Sequence, residues 1–141
     1  MKYAYPFNLS GEEGDYLVTF PDVPEALTGD ETRQEALALA DDCLMTALGG
    51  YVKRRMAIPK PSRPDPDQYV VTLPALVCAK LALYEAMRET DLSALALSKR
   101  LDVSEKAMRR MLDLTHASKI GKVEHALAAL GKRLVVDVQA A

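Results

Sequence analysis

The stretch that decides the fold of the second half of the chain is Leu92-Ser93-Ala94-Leu95-Ala96-Leu97-Ser98-Lys99-Arg100-Leu101-Asp102-Val103-Ser104-Glu105-Lys106-Ala107-Met108-Arg109-Arg110-Met111. It has the layout of a helix-turn-helix. A first helix spans Ser93–Leu101, Asp102-Val103 makes a tight turn, and Ser104 caps a second helix over Glu105–Leu114. Such turns often use glycine; Asp102 stands here, and aspartate tolerates the left-handed conformation better than most residues. Val103 plugs the space between the two helices. On the second helix Ala107, Met108, Met111, Leu112 and Leu114 gather on one side, and Glu105, Lys106, Arg109, Arg110 and Asp113 on the other. A DNA major groove accepts one α-helix, and that helix needs long donors pointing outward. Lys106, Arg109 and Arg110 supply them, with the cap Ser104 at the head of the same surface. Ser98, Lys99, Arg100, Lys119 and Lys122 are candidates for phosphate contacts that set register without reading sequence. The same pattern also fits a plain helical hairpin with a solvated basic face.

Working outward, Pro74 suits the first turn of a helix through Leu76, Leu83, Tyr84 and Met87 to about Glu89. A further helix is expected over Val123–Leu130, with Gly131 as its stop. Leu134-Val135-Val136-Asp137-Val138 reads as a closing strand. A lone strand leaves its backbone groups unmatched, so pairing across a dimer is the expectation there.

Toward the amino terminus, Tyr69-Val70-Val71-Thr72-Leu73 is the clearest short strand, expected to join a sheet formed by the first residues. Before it, Pro59, Pro61, Pro64 and Pro66 punctuate residues 58–68, an extended and fairly stiff connector. Lys2–Leu9 reads as a first strand, Ser10-Gly11-Glu12-Glu13-Gly14 as a turn, and Asp15–Phe20 as a second strand paired with the first. On it Tyr16, Val18 and Phe20 share one face, with Leu17 and Thr19 on the other. Pro21 and Pro24 stop that strand, and Glu25-Ala26-Leu27-Thr28 makes a short third one. Thr32 and Glu35 have capping-box spacing. They open a helix whose stripe is Ala36, Leu37, Ala40, Cys43, Leu44, Ala47 and Leu48, weakened or ended at Gly49-Gly50. The fold class is therefore α+β: a small antiparallel sheet with a helix in residues 1–73, then an all-α region with a terminal strand in residues 74–141.

A formal net charge of −2 conceals an asymmetry between these halves. Residues 1–52 hold two basic side chains, Lys2 and Arg33, against ten acidic ones, a net of −8. Residues 99–133 hold nine basic against four acidic side chains, a net of +5. Opposite signs on one chain suggest two partners, a basic one for the front and a polyanion for the back. Hydrophobic residues at 49% and charged residues at 27% are those of a soluble globular protein. No apolar run approaches the ~20 residues needed to span a bilayer, and the start lacks a signal core, so no membrane is involved and the cytoplasm is the expected location. Cys43 and Cys78 are far apart within helical apolar patterns and are read as buried free thiols.

The succession Tyr16-Leu17-Val18-Thr19-Phe20-Pro21-Asp22-Val23-Pro24-Glu25-Ala26-Leu27-Thr28-Gly29-Asp30, then Thr32 and Glu35-Ala36-Leu37, then Ile58-Pro59-Lys60-Pro61-Ser62, resembles the HicB antitoxin family. The shared features are a strand ending in Phe-Pro-Asp-x-Pro, a Thr-Gly-Asp turn, a Glu-Ala-Leu helix start and an Ile-Pro-x-Pro-Ser exit. The likeness covers about the first half; the second half resembles the phage-repressor-type helix-turn-helix that many members carry. Glu31, inserted between Asp30 and Thr32, is a departure from the family's Gly-Asp-Thr. The resemblance implies a degraded RNase H-like front domain that occludes HicA, a small basic toxin that cleaves mRNA. It also implies a rear domain that represses the operon as a dimer or higher oligomer on operator DNA. It identifies no individual toxin contact; Asp15, Asp22, Glu25, Asp30 and Glu31 are candidates because they flank the matched strand and turn.

Catalysis is not expected. An RNase H-type nuclease needs carboxylates converging on metal ions, usually one from the first strand, and Lys2–Leu9 has none. Asp41 and Asp42, adjacent on a helix, diverge by about 100°. His116 and His125 are too far apart for ligation across one helical turn, so neither metal nor cofactor is expected. Two other readings compete: a stand-alone phage-type transcriptional regulator whose front domain dimerises or senses a ligand, and a metal-dependent nuclease.

Overall fold

The computed structural model describes residues 2–141. The chain is α+β and divides into two compact units, one closing at Leu73 and one running from Pro74 to Ala141.

The front unit holds β1 (Ala4–Glu12), β2 (Asp15–Thr19), β3 (Leu27–Asp30) and β4 (Tyr69–Thr72) in one antiparallel sheet of order β3-β2-β1-β4. Register follows the period-two pattern. Tyr5 opposes Val71, and Leu9 opposes Val18. Tyr5, Phe7, Val18 and Val71 are thereby buried on one face. Phe7 packs on Phe20 and Tyr69, with ring centroids 5.2 and 5.3 Å apart. The first turn is tighter than the sequence suggests. β1 runs on through Glu12, which pairs with Asp15, leaving Glu13-Gly14 as a two-residue loop. Gly14 takes φ 91°, which a residue with a Cβ adopts at a cost.

β3 begins two residues later than expected, at Leu27. The chain first turns through Phe20–Ala26, where Val23 N–H donates to the Phe20 carbonyl and Ala26 N–H to that of Val23. Pairing then sets Gly29 against Leu17 so closely that a Cβ at position 29 would lie 2.4 Å from the Tyr16 carbonyl oxygen.

The expected single helix is two. α1 spans Arg33–Ala38 and α2 spans Ala40–Lys53, divided at Leu39, whose N–H is shared between the Glu35 and Ala36 carbonyls. Gly49-Gly50 does not end α2. Burial of Leu44, Leu48 and Tyr51 along it offsets the propensity cost of about 1 kcal/mol per glycine. The capping box forms by half. Thr32 Oγ1 accepts from Glu35 N–H at 3.1 Å, but the Glu35 carboxyl turns to Asp30.

The proline-rich connector is extended, and it is fastened to the sheet unit. Ile58 is buried, Tyr5 donates its hydroxyl to the Pro59 carbonyl at 2.7 Å, and Gln68 Nε2 donates to Asn8 at 3.2 Å.

The rear unit holds α3 (Ala75–Glu89), α4 (Ala94–Leu101), α5 (Glu105–Leu112) and α6 (Ile120–Ala129) around one core. Leu83, Leu97, Met108, Val123, Ala126 and Leu127 are its centre. The expected terminal strand at Leu134–Val138 does not form. Beyond Lys132 the chain has neither helix nor strand, and no backbone hydrogen bond among the described residues involves it. A strand needs a neighbouring strand for its donors and acceptors, and within one chain none lies beside this segment. Cys43 and Cys78 are free and half-buried, and burial pushes both thiols above their ordinary range. No helix of the described residues is long and apolar enough to cross a membrane.

Candidate functional site: a fixed cationic helix and a fastened acidic sheet

α5 is positioned by local chemistry at its start and by one buried charge at its end. The turn before it closes α4. Asp102 sits in the left-handed region at φ 54°, ψ 46°, and Val103 N–H reaches back to the Ser98 carbonyl at 3.0 Å, satisfying an orphan acceptor of the helix end. Ser104 Oγ then accepts from Ala107 N–H at 3.0 Å, as Ser93 Oγ does from Ala96 N–H at the head of α4. Such caps contribute about 1 kcal/mol each.

At the far end stands a residue that sequence reading missed. Lys80 of α3 is wholly buried. Its ammonium donates to three carbonyls, those of Arg110 at 3.0 Å, Asp113 at 2.6 Å and His116 at 2.7 Å. Three donors meet three acceptors at the negative pole of the α5 dipole. Burial pushes the Lys80 pKa down, and the Asp113 carboxylate pulls it back. Asp113 itself is held below the ordinary carboxylate range by the hydroxyl and amide of Thr115, at 2.7 and 3.0 Å. The signal was present in the sequence: Lys80 falls on the helical stripe Leu76, Leu83, Met87, where an apolar residue belongs.

Between those two anchors Lys106, Arg109 and Arg110 are exposed, while Met108 and Met111 are buried beneath them. Lys99 and Arg100 are exposed at the end of α4. Lys119 and Lys122 stand at the amino end of α6, whose first turn holds no acidic residue. A concave cleft of about 480 Å³ brings Arg110, Lys119 and Lys122 together over a floor that includes Leu101, Val103 and Met111. His116 and His125, which the sequence keeps apart, line the same cleft. Ser98 corrects an expectation: it is buried and its hydroxyl donates to the Leu95 carbonyl, so it is not available to phosphate.

The acidic residues of the front unit are arranged differently. Asp22 accepts from the backbone N–H of Ser62 at 2.7 Å and from its hydroxyl. Two separate pieces of the sequence pattern, Phe-Pro-Asp and Ile-Pro-x-Pro-Ser, thus meet in one latch. Glu25 accepts from the Tyr51 hydroxyl at 2.6 Å, which holds Glu25 below the usual carboxylate range and Tyr51 above the usual phenol range. Asp30 and Glu35 share a hydrogen bond that lowers the first and raises the second. Asp15 and Glu31 are exposed, and neither makes a side-chain hydrogen bond or ion pair among the described residues. Beside them, on the outer sheet face, Leu17 and Leu27 are 40% and 59% exposed on adjacent strands.

A family model described as the HicB_like antitoxin of bacterial toxin-antitoxin systems matches residues 2–82. This chain belongs to the HicB-like antitoxin family. The relation extends beyond the sheet unit. The chain is 41% identical over 130 residues to Antitoxin HicB 2 of Photorhabdus laumondii, covering 92% of each protein. It is 37% identical over 131 residues to Antitoxin HicB of Escherichia coli K12, covering 92% of this chain and 95% of that one. With Antitoxin HicB of Pseudomonas fluorescens it shares 35% over 140 residues, covering 99% and 96%. The HicB-like sheet unit is thus the part matched by the family model, and the cationic helices lie almost wholly in the part matched only by whole relatives. Among the described residues, no three His, Cys, Asp or Glu side chains are grouped to hold a metal ion.

Proposed function

We propose that the chain is a cytoplasmic antitoxin and repressor that performs no bond-breaking chemistry. Its front unit covers a small basic HicA-type toxin that cleaves mRNA. Its rear unit, acting as a homodimer or higher oligomer, inserts α5 into the major groove of its own operator, with Ser104, Lys106, Arg109 and Arg110 toward the bases. Lys99, Lys119 and Lys122 contact phosphates. The toxin meets the outer face of β2 and β3, where exposed Leu17 and Leu27 supply apolar contact and Asp15 and Glu31 supply steering charge.

The observation that carries this reading is the uncommitted cationic row on α5, capped at one end and locked by Lys80 at the other, in a chain whose front belongs to an antitoxin family. Long donors on a rigid helix are what groove recognition requires. The test is co-purification with the product of the adjacent gene, followed by a gel shift on the DNA upstream. A co-purifying small basic protein together with a retarded band supports the reading. A retarded band without a partner protein favours a stand-alone regulator, and the absence of both a partner protein and a retarded band overturns the proposed function.

A further inference from the structure

The cleft beside α5 has a composition that groove binding alone does not account for. None of the twelve residues lining it is acidic, and Arg110, Lys119 and Lys122 are cationic. Its floor is apolar, with Met111 buried and Leu101 and Val103 half-buried. Contacts to a phosphate backbone call for exposed donors, not for a hollow of about 480 Å³. That volume falls within the roughly 300–1,000 Å³ of small-ligand sites, which combine apolar walls with a few polar groups.

One wall of the cleft is held in place before anything binds. Lys80 fastens the carbonyls of Arg110, Asp113 and His116. Ser118 Oγ donates to the Arg110 carbonyl at 3.3 Å and lies 2.9 Å from His116 Nδ1. A hydroxyl has one proton. With that proton on the carbonyl, Ser118 accepts from Nδ1–H, and Nε2 of His116 is left for a ligand. The Asp113 carboxylate, on the same turn, is engaged by Thr115 and does not line the cleft. A frame fixed in advance lowers the ordering cost of binding.

We propose that this cleft binds a small organic anion, its charged head among Arg110, Lys119 and Lys122 and its compact apolar body on Met111, Leu101 and Val103. The same three cations face the DNA backbone in the proposed function. A bound anion neutralises them, so ligand and DNA weaken each other and the ligand releases the operator. The proposal rests on the DNA-binding reading only for that last consequence.

Naphthoate, an aromatic body with one carboxylate, is the probe, titrated into the full chain by calorimetry. It should bind saturably. Naphthylmethanol, which keeps only the body, and acetate, which keeps only the head, should each bind about tenfold or more weaker. Lys119→Ala with Lys122→Ala should weaken naphthoate by a similar factor. Gly121→Phe should also weaken it by filling the hollow, since an added Cβ there meets nothing within 4 Å. All three positions are exposed, so both variants should melt with the parent. Lys53→Ala with Lys60→Ala removes the same charge from the front unit and should leave naphthoate binding unchanged. Saturating naphthoate should weaken binding to the upstream DNA at constant ionic strength. Absence of saturable binding, equal binding of naphthylmethanol, or parent-like binding by either cleft variant overturns the proposal. An equal loss in the front-unit variant, or DNA binding that ignores bound naphthoate, overturns it too. A chain that binds naphthoate but not the upstream DNA counts against the repressor function and leaves the ligand site standing.

Discussion

The two units use ionised side chains in opposite ways. In the front unit Asp22 latches Ser62, Glu25 holds Tyr51 and Asp30 accepts from the Glu31 backbone N–H, so part of the acidic surplus works as internal fastening. In the rear unit Lys99, Arg100, Lys106, Arg109, Arg110, Lys119 and Lys122 make no side-chain hydrogen bond or ion pair among the described residues. The charges at work inside that unit lie elsewhere: Lys80 is buried on three carbonyls, Asp113 accepts from Thr115, and Lys132 pairs with Glu89 at 3.1 Å. Counting charges therefore overstates the surface the front can offer a partner and describes the back well. A side chain already bonded must be released before it binds, and one that is free need only be ordered.

The comparison is most easily broken at α5. Replacing Arg109 and Arg110 together by alanine should weaken binding to the upstream DNA by about 100-fold or more and flatten its salt dependence, read by fluorescence anisotropy. Next in size is Lys80→Met. It strands the carbonyls of Arg110, Asp113 and His116 and should cost about 2–4 kcal/mol in urea unfolding. On the front, Asp15→Lys with Glu31→Lys should slow association with the toxin roughly tenfold at low salt, measured by stopped flow. Asp22→Asn should instead loosen the connector at Ser62, with little change in association rate. The smallest effect is one of acidity. Because Tyr51 holds Glu25 below its ordinary value of 4.5, Glu25 contributes stability above that pH and loses it as the pH falls through its folded value. Thermal melts of Glu25→Gln should show a shallower acid limb than the parent.

Much of the rear unit was legible because its signals are local. Ser93, Asp102 and Ser104 fix helix ends through bonds spanning three to five residues, and the structure puts each where the pattern asks. The front unit was legible in its elements and less so in their ends. Where β3 starts depends on how Phe20–Ala26 turns, and where the helix breaks depends on one shared amide at Leu39. Neither is written in periodicity. Lys80 shows the other limit: the sequence places a cation on an apolar stripe, but the carbonyls that justify it lie 30 and more residues away. The tail failed as a strand within the chain because propensity alone supplies no neighbour.

The account stands most directly on whether the two surfaces are separable in one molecule. The decisive measurement is binding of the full chain to labelled upstream DNA and to the adjacent gene's product, for the Arg109→Ala, Arg110→Ala pair and the Asp15→Lys, Glu31→Lys pair. Each pair should impair one partner and spare the other. Variants that lose both together, or a parent that binds neither, would contradict it.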